Sequence, residues 1–82
     1  MRVAMAVCRG RISPVFDTAR KLLVLEVADG SVSGCQEQEL ETDEPTAKAS
    51  RLAAIGAEAL VCGAISRPLA DLIESSGIRL FP

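Results

Sequence analysis

The sequence predicts a mixed α/β domain in the order βββαβαβ, and three observations carry that prediction. Short runs rich in Val, Leu and Ala recur at residues 2–7, 21–27, 59–62 and 78–81, long enough for strands and too short for buried helices. Asp29-Gly30 offers the positive φ of a tight turn, so the second and third strands form a hairpin. Two helix signatures, each opening at a proline and closing at a glycine, separate the later strands and make them parallel.

The first run, Arg2 to Val7, carries no charge after its arginine and suits a central strand buried on both faces. Lys21 to Val27 is the second strand, and Ser31 to Leu40 contains the third. Glu41-Thr42-Asp43-Glu44-Pro45 combines capping residues, acidic side chains and a first-turn proline, so a helix begins there and runs to about Ile55. Its expected apolar stripe is Ala49, Leu52, Ala53 and Ile55, with Lys48 and Arg51 off it, and Gly56 stops it. Ala59 to Cys62 is a brief buried strand ended by Gly63. A second helix starts near Ser66 or Arg67 with Pro68 in its first turn, presents Leu69, Leu72 and Ile73 to the core, and closes at Gly77. Ile78 to Phe81 is the last strand.

With strand order 3-2-1-4-5, both crossovers advance the same way across the sheet, and right-handedness puts both helices on one face. The other face is then bare. Yet the first strand offers Val3, Met5 and Val7 on one side and Ala4, Ala6 and Cys8 on the other. The second strand likewise sets Leu22 and Val24 against Leu23, Leu25 and Val27. An apolar face of that kind calls for a cover, and a homo-oligomer or a further helix is the expectation.

Composition narrows the functional classes. The 82 residues make one domain, 1–82, without repeat or linker, and a chain of that size buries roughly 60–65% of its unfolded surface. A net charge of −2 argues against a nucleic-acid partner, which would call for a basic excess. No apolar run nears the ~20 residues that span a bilayer, and none at the start resembles a secretory leader, so no membrane partner and a cytoplasmic location are expected. Three cysteines, 27 residues apart, form no CxxC pair and suit a reducing compartment.

The chemistry gathers in one loop. Ser13-Pro14-Val15-Phe16-Asp17 follows Cys8 among three arginines, Arg9, Arg11 and Arg20, in a chain without histidine. That favours holding an anion over acid/base catalysis. The strand order would end two adjacent parallel strands at Cys8 and Cys62, about 4.8 Å apart, at the crevice where open α/β sheets bind ligands. Arg67 stands near a helix N-terminus whose free N–H groups also attract anions. Thiolates select copper(I), zinc or iron–sulfur species. Two of them cannot close a four-coordinate site around a bare ion, whereas a preassembled anionic cluster needs fewer protein ligands. Against this, free cysteine often serves as a small core hydrophobe, loop arginines are commonly solvated, and Phe16 could simply pack the loop onto the sheet. An enzyme is not expected. The first and fourth strands lack the carboxylates of a two-magnesium nuclease, no histidine-based triad is available, no P-loop or GxGxxG occurs, and Asp17 is a lone loop carboxylate.

At these residues the sequence resembles the dinitrogenase iron–molybdenum cofactor biosynthesis family. The carriers are the opening strand, the Ser13-Pro14-Val15-Phe16 loop, Val27-Ala28-Asp29-Gly30, the segment Ile55 to Ile65 with Cys62-Gly63, and the close Gly77 to Phe81. The resemblance implies a ribonuclease H-like five-stranded sheet. It also implies a non-catalytic binding or carrier protein for an anionic metal–sulfur cluster or molybdenum-containing precursor, of iron–molybdenum or molybdenum–copper type. A cofactor-assembly or acceptor protein would be the partner. In that reading Cys8 and Cys62 are sulfur ligands and Arg9, Arg11, Arg20 and Arg67 are charge partners. Ser13, Phe16, Asp17 and Gly63 complete the binding set. The family loop commonly runs Ser-Pro-His-Phe-Gly, so Val15 and Asp17 replace its histidine and glycine, and histidine ligation falls away. Family members usually continue into a further helix after the last strand, whereas this sequence stops at Pro82. The alternatives are an interaction module docking through the open sheet face and a thiol redox protein in which the arginines favour a Cys8 thiolate.

Overall fold

A computed structural model describes residues 1–82. The strands are β1 (Arg2–Cys8), β2 (Arg11–Ile12), β3 (Lys21–Ala28), β4 (Ser31–Glu39), β5 (Ala59–Val61) and β6 (Arg79–Phe81). Helix α1 spans Pro45–Ile55 and α2 spans Arg67–Ser75, and a single 3-10 turn occupies Phe16–Thr18. The sheet is mixed: β1 pairs antiparallel with β2 and β3, β3 with β4, and β1, β5 and β6 run parallel.

The expected count of five strands is corrected to six: the five anticipated strands lie in the path β4-β3-β1-β5-β6, and an unanticipated two-residue β2 pairs with β1 outside that path. The additional strand arises because Arg9 (φ 53°) and Gly10 (φ 78°) both take positive φ. Two such residues make a turn that folds the chain straight back, setting Arg11 opposite Cys8 and Ile12 opposite Val7. Asp29 (φ 52°) and Gly30 (φ 76°) do the same between β3 and β4.

The two helices pack on each other over one face of the sheet. Ala4 and Ala6 of β1, Leu22 and Val24 of β3 and Leu60 of β5 share the buried core with Leu52, Leu69 and Ile73 from the helices. Strand alternation sends the intervening residues the other way. Register puts Phe81, Val61, Met5 and Leu23 in one row across four strands, and Val3 beside Leu25 in the next. These side chains are half-buried, except for the exposed Phe81. One apolar sheet face is therefore open.

Both helix stripes differ from expectation. In α1 the buried residues are Lys48, Ala49 and Leu52, whereas Ala53 is exposed. In α2 they are Leu69, Ala70 and Ile73, with Leu72 at the surface. The burial of Lys48, 0% exposed, rotates the inward face of α1 by one residue, and its reason lies in the loop that the helix covers. Glu44 caps α1 by accepting from the Thr46 and Ala47 backbone N–H groups at 3.1 and 2.9 Å. Neither helix is long and apolar enough to cross a membrane.

Candidate functional site

The loop from Ser13 to Arg20 is fixed from three sides. Ala64 N–H donates to Pro14 O and Phe16 N–H donates to Ala64 O, both at 2.8 Å, so the loop pairs with the chain leaving β5. Gly63 makes that approach possible: a Cβ there would lie 2.5 Å from both the Ser13 and the Pro14 carbonyl oxygens. The ring of Phe16 is fully buried in the core. Lys48 reaches up from α1 and donates to the carbonyls of Phe16, Asp17 and Ala19. Burial pulls its pKa down, and the Asp43 and Asp17 carboxylates oppose that pull.

Asp17 makes the third attachment. Its carboxylate accepts from the Ser66 N–H at 2.8 Å and the Ser66 hydroxyl at 2.5 Å, at the start of α2. The anion-favouring end of that helix, expected to receive a ligand, is thus filled by the protein's own carboxylate. Partial burial pushes the Asp17 pKa up, but the two Ser66 hydrogen bonds outweigh it and hold it below its ordinary value of 3.8. A depressed carboxylate contributes stability that is complete above its unfolded pKa and lost as pH falls through the folded one. The clasp between loop and α2 should therefore persist through neutral pH and open in acid below about 4. Amide hydrogen exchange at Ser66, followed from pH 6 to pH 3, checks this against Asp17→Asn, which should flatten the acid dependence.

What remains open is a cleft of about 380 Å³ at the C-terminal end of β1, the largest of three on the surface. Cys8, Arg9, Ser13, Thr18, Arg20 and Lys21 line it, and no carboxylate does. Arg20 is held by a two-pronged pair with Asp43, at 2.9 and 3.2 Å, and Lys21 lies 3.7 Å from Glu37. Arg9 makes no ion pair. The Cys8 thiol is exposed. Three cations and one thiol in a concave surface suit a compact anion with affinity for sulfur.

The expected set divides accordingly. Cys8, Arg9, Ser13 and Arg20 come together, although the Ser13 hydroxyl donates to Val15 O at 3.2 Å within its own loop. Arg11 is exposed on β2, and Arg67 turns to Asp71 and Glu74 at 3.5 and 3.6 Å. Phe16 is core, Asp17 is a cap, and Gly63 seats the loop.

Cys62 does not join Cys8. The pairing of Met5 with Val61 puts Cys62 level with Ala6, and the place beside Val7 and Cys8 belongs to β2. Cys62 is 2% exposed, and burial followed by the Asp17 charge raises its pKa, so it rests as a core thiol. No cluster of three or more His, Cys, Asp or Glu exists to close around a bare metal ion. Thr18 and Lys21 are the polar lining residues that sequence reasoning missed, beside the apolar Val7, Pro14 and Ala19. The contiguity of Arg20 and Lys21 at the start of a strand was the available signal for Lys21.

Fold and cleft together define a small mixed α/β domain with a cationic, thiol-bearing pocket at the end of its central strand. The chain belongs to the dinitrogenase iron–molybdenum cofactor family, whose pattern it matches over residues 1–82. Solved structures agree in fold. PH0822 superposes with a TM-score of 0.90 at 21% identity, covering 99% of this chain and 77% of its own. A protein described as a dinitrogenase from Methanocaldococcus jannaschii gives 0.79 at 19%, covering 98% and 72%. A NifB-described protein from Thermotoga gives 0.68 at 18%, covering 96% and 72%. No curated protein sequence matches this chain significantly.

Proposed function

We propose that this protein is a non-catalytic carrier for an anionic metal–sulfur cluster or molybdenum-containing precursor, held in the cleft by Cys8 and by the charges of Arg9, Arg20 and Lys21. The observation that carries the reading is the composition of that wall: three cations and an accessible thiol without a carboxylate. A bare first-row ion would need three or four donors from the chain, whereas a preassembled sulfide-rich anion brings its own. One thiolate then anchors it and the cations neutralise it. The family's tie to the iron–molybdenum cofactor supports this cargo over a simple oxyanion.

Arg9 gives the direct test because it has no partner to lose. Replacing it with Gln should weaken binding of tetrathiomolybdate roughly tenfold at low salt, about the 1.4 kcal/mol of one partly desolvated charge contact. The wild-type affinity should itself fall as salt rises. An Arg9→Gln protein that binds as tightly as wild type would remove the charge half of the proposal.

A second reading has its own observation in the open row of Phe81, Val61, Met5 and Leu23. Docking of a partner through that face needs no thiol and would survive Cys8→Ser, which the carrier reading would not.

A further inference from the structure

Lys48 is the one fully buried charge in the molecule, and the cleft does not use it directly. All three of its N–H groups are spent on carbonyl oxygens of one short turn: Phe16 O at 2.6 Å, Ala19 O at 2.8 Å and Asp17 O at 3.0 Å. Three carbonyl dipoles converging on one point repel each other unless a cation sits among them. The surroundings complete the cage. The Phe16 ring lies 4.9 Å from Nζ, centroid to nitrogen, and Asp43 Oδ1 lies at 3.9 Å. A compact ammonium with three donors on a flexible stem fits such a site, whereas a planar guanidinium would not. With no exposure and no free donor, Lys48 is not available as a nucleophile or base.

The cage is joined to the cleft at two points. Ala19 carries one of the three carbonyls and also lines the cleft. Asp43, which faces Lys48, is the same carboxylate that grips the Arg20 guanidinium. We propose that Lys48 is the positioning residue of the cleft, a tethered cation whose ammonium fills a cage of three loop carbonyls and so fixes the wall that bears Thr18, Ala19 and Arg20. The cage stands on geometry alone; its effect on binding rests on the carrier reading.

Chemical rescue separates the two. Lys48→Ala removes three carbons and the nitrogen, the outline of n-propylammonium, while n-propyltrimethylammonium has the charge without any N–H donor. Exchange at the Phe16 and Ala19 amides, which are hydrogen-bonded in the loop, should accelerate at least tenfold in Lys48→Ala. It should return toward wild type with propylammonium and not with the trimethyl compound. If the variant folds only with an added amine, propylammonium-dependent refolding is the same result, and refolding with either compound alike contradicts it. Lys48→Met, which keeps the apolar stem, must show the same acceleration; exchange within twofold of wild type would overturn the proposal. Tetrathiomolybdate affinity should fall about tenfold in Lys48→Ala and recover with propylammonium. Unchanged affinity beside accelerated exchange would overturn the positioning role. A wild-type protein that retains neither tetrathiomolybdate, copper(I) nor an iron–sulfide species would sink the carrier reading and leave the exchange result to decide the cage.

Discussion

Lys48→Met should destabilise the domain by about 3 kcal/mol or more. Two effects compete. Removing the ammonium recovers the cost of desolvating a charge, and methionine fills most of the same volume, which is why replacing whole buried ion pairs by apolar groups is often harmless. Here only one side of the interaction goes. The Phe16, Asp17 and Ala19 carbonyls stay where the backbone puts them, and leaving a buried acceptor unpaired costs roughly 1–3 kcal/mol each. Ala19 N–H already donates to Phe16 O, so that carbonyl keeps one partner, and Asp17 O is only part-buried, so both fall at the low end. The unpaired carbonyls win. In a domain of this size each kcal/mol lowers Tm by roughly 4–8 °C, so a drop of more than ~12 °C is expected in thermal unfolding. A loss under about 1 kcal/mol would mean that the turn holds itself.

Gly63→Ala should cost about 2–3 kcal/mol, for a steric reason. The new Cβ would meet Ser13 O and Pro14 O at 2.5 Å and Pro14 C at 2.9 Å, all backbone atoms. A side-chain tip could swing away, but these atoms are pinned by the paired hydrogen bonds between Ala64, Pro14 and Phe16. The loop must lift off β5 as a unit, with overpacking costs typical of a tight interior. Denaturant unfolding gives the energy, and a loss below about 0.5 kcal/mol would contradict so close an approach. Because the lifted segment carries Ser13 and leads to Arg20, the cleft should open in the same variant.

These two positions also show where sequence reasoning stops. The Asp29-Gly30 hairpin was legible because a short polar residue before glycine announces paired positive φ. Arg9-Gly10 makes the same turn without that announcement, since arginine is uncommon in the left-handed region, and so β2 was missed. With β2 went the expected meeting of Cys8 and Cys62. Proline and glycine bracketed both helices readably, but a lysine within an alanine-rich helix reads as the solvent side. Lys48 faces inward because its partners are backbone carbonyls, and no side-chain pattern encodes those. Asp17 left a fainter trace. An acidic residue in a basic loop, where the family commonly has glycine, is out of place as an anion ligand and in place as a helix cap. Cys62 followed strand alternation from the buried Leu60, a cue that pointed to the core.

The measurement that bears most directly on the carrier reading is the visible absorption spectrum, with metal analysis, of protein incubated anaerobically with tetrathiomolybdate, copper(I), or iron and sulfide. A polypeptide does not absorb in the visible, and with no Trp or Tyr this one absorbs little in the near ultraviolet either, so cluster bands stand clear there too. A stoichiometric chromophore retained through desalting and lost in Cys8→Ser is the expected result. Protein that emerges colourless and metal-free under every condition, or a chromophore that Cys8→Ser leaves intact, would contradict a carrier anchored at Cys8.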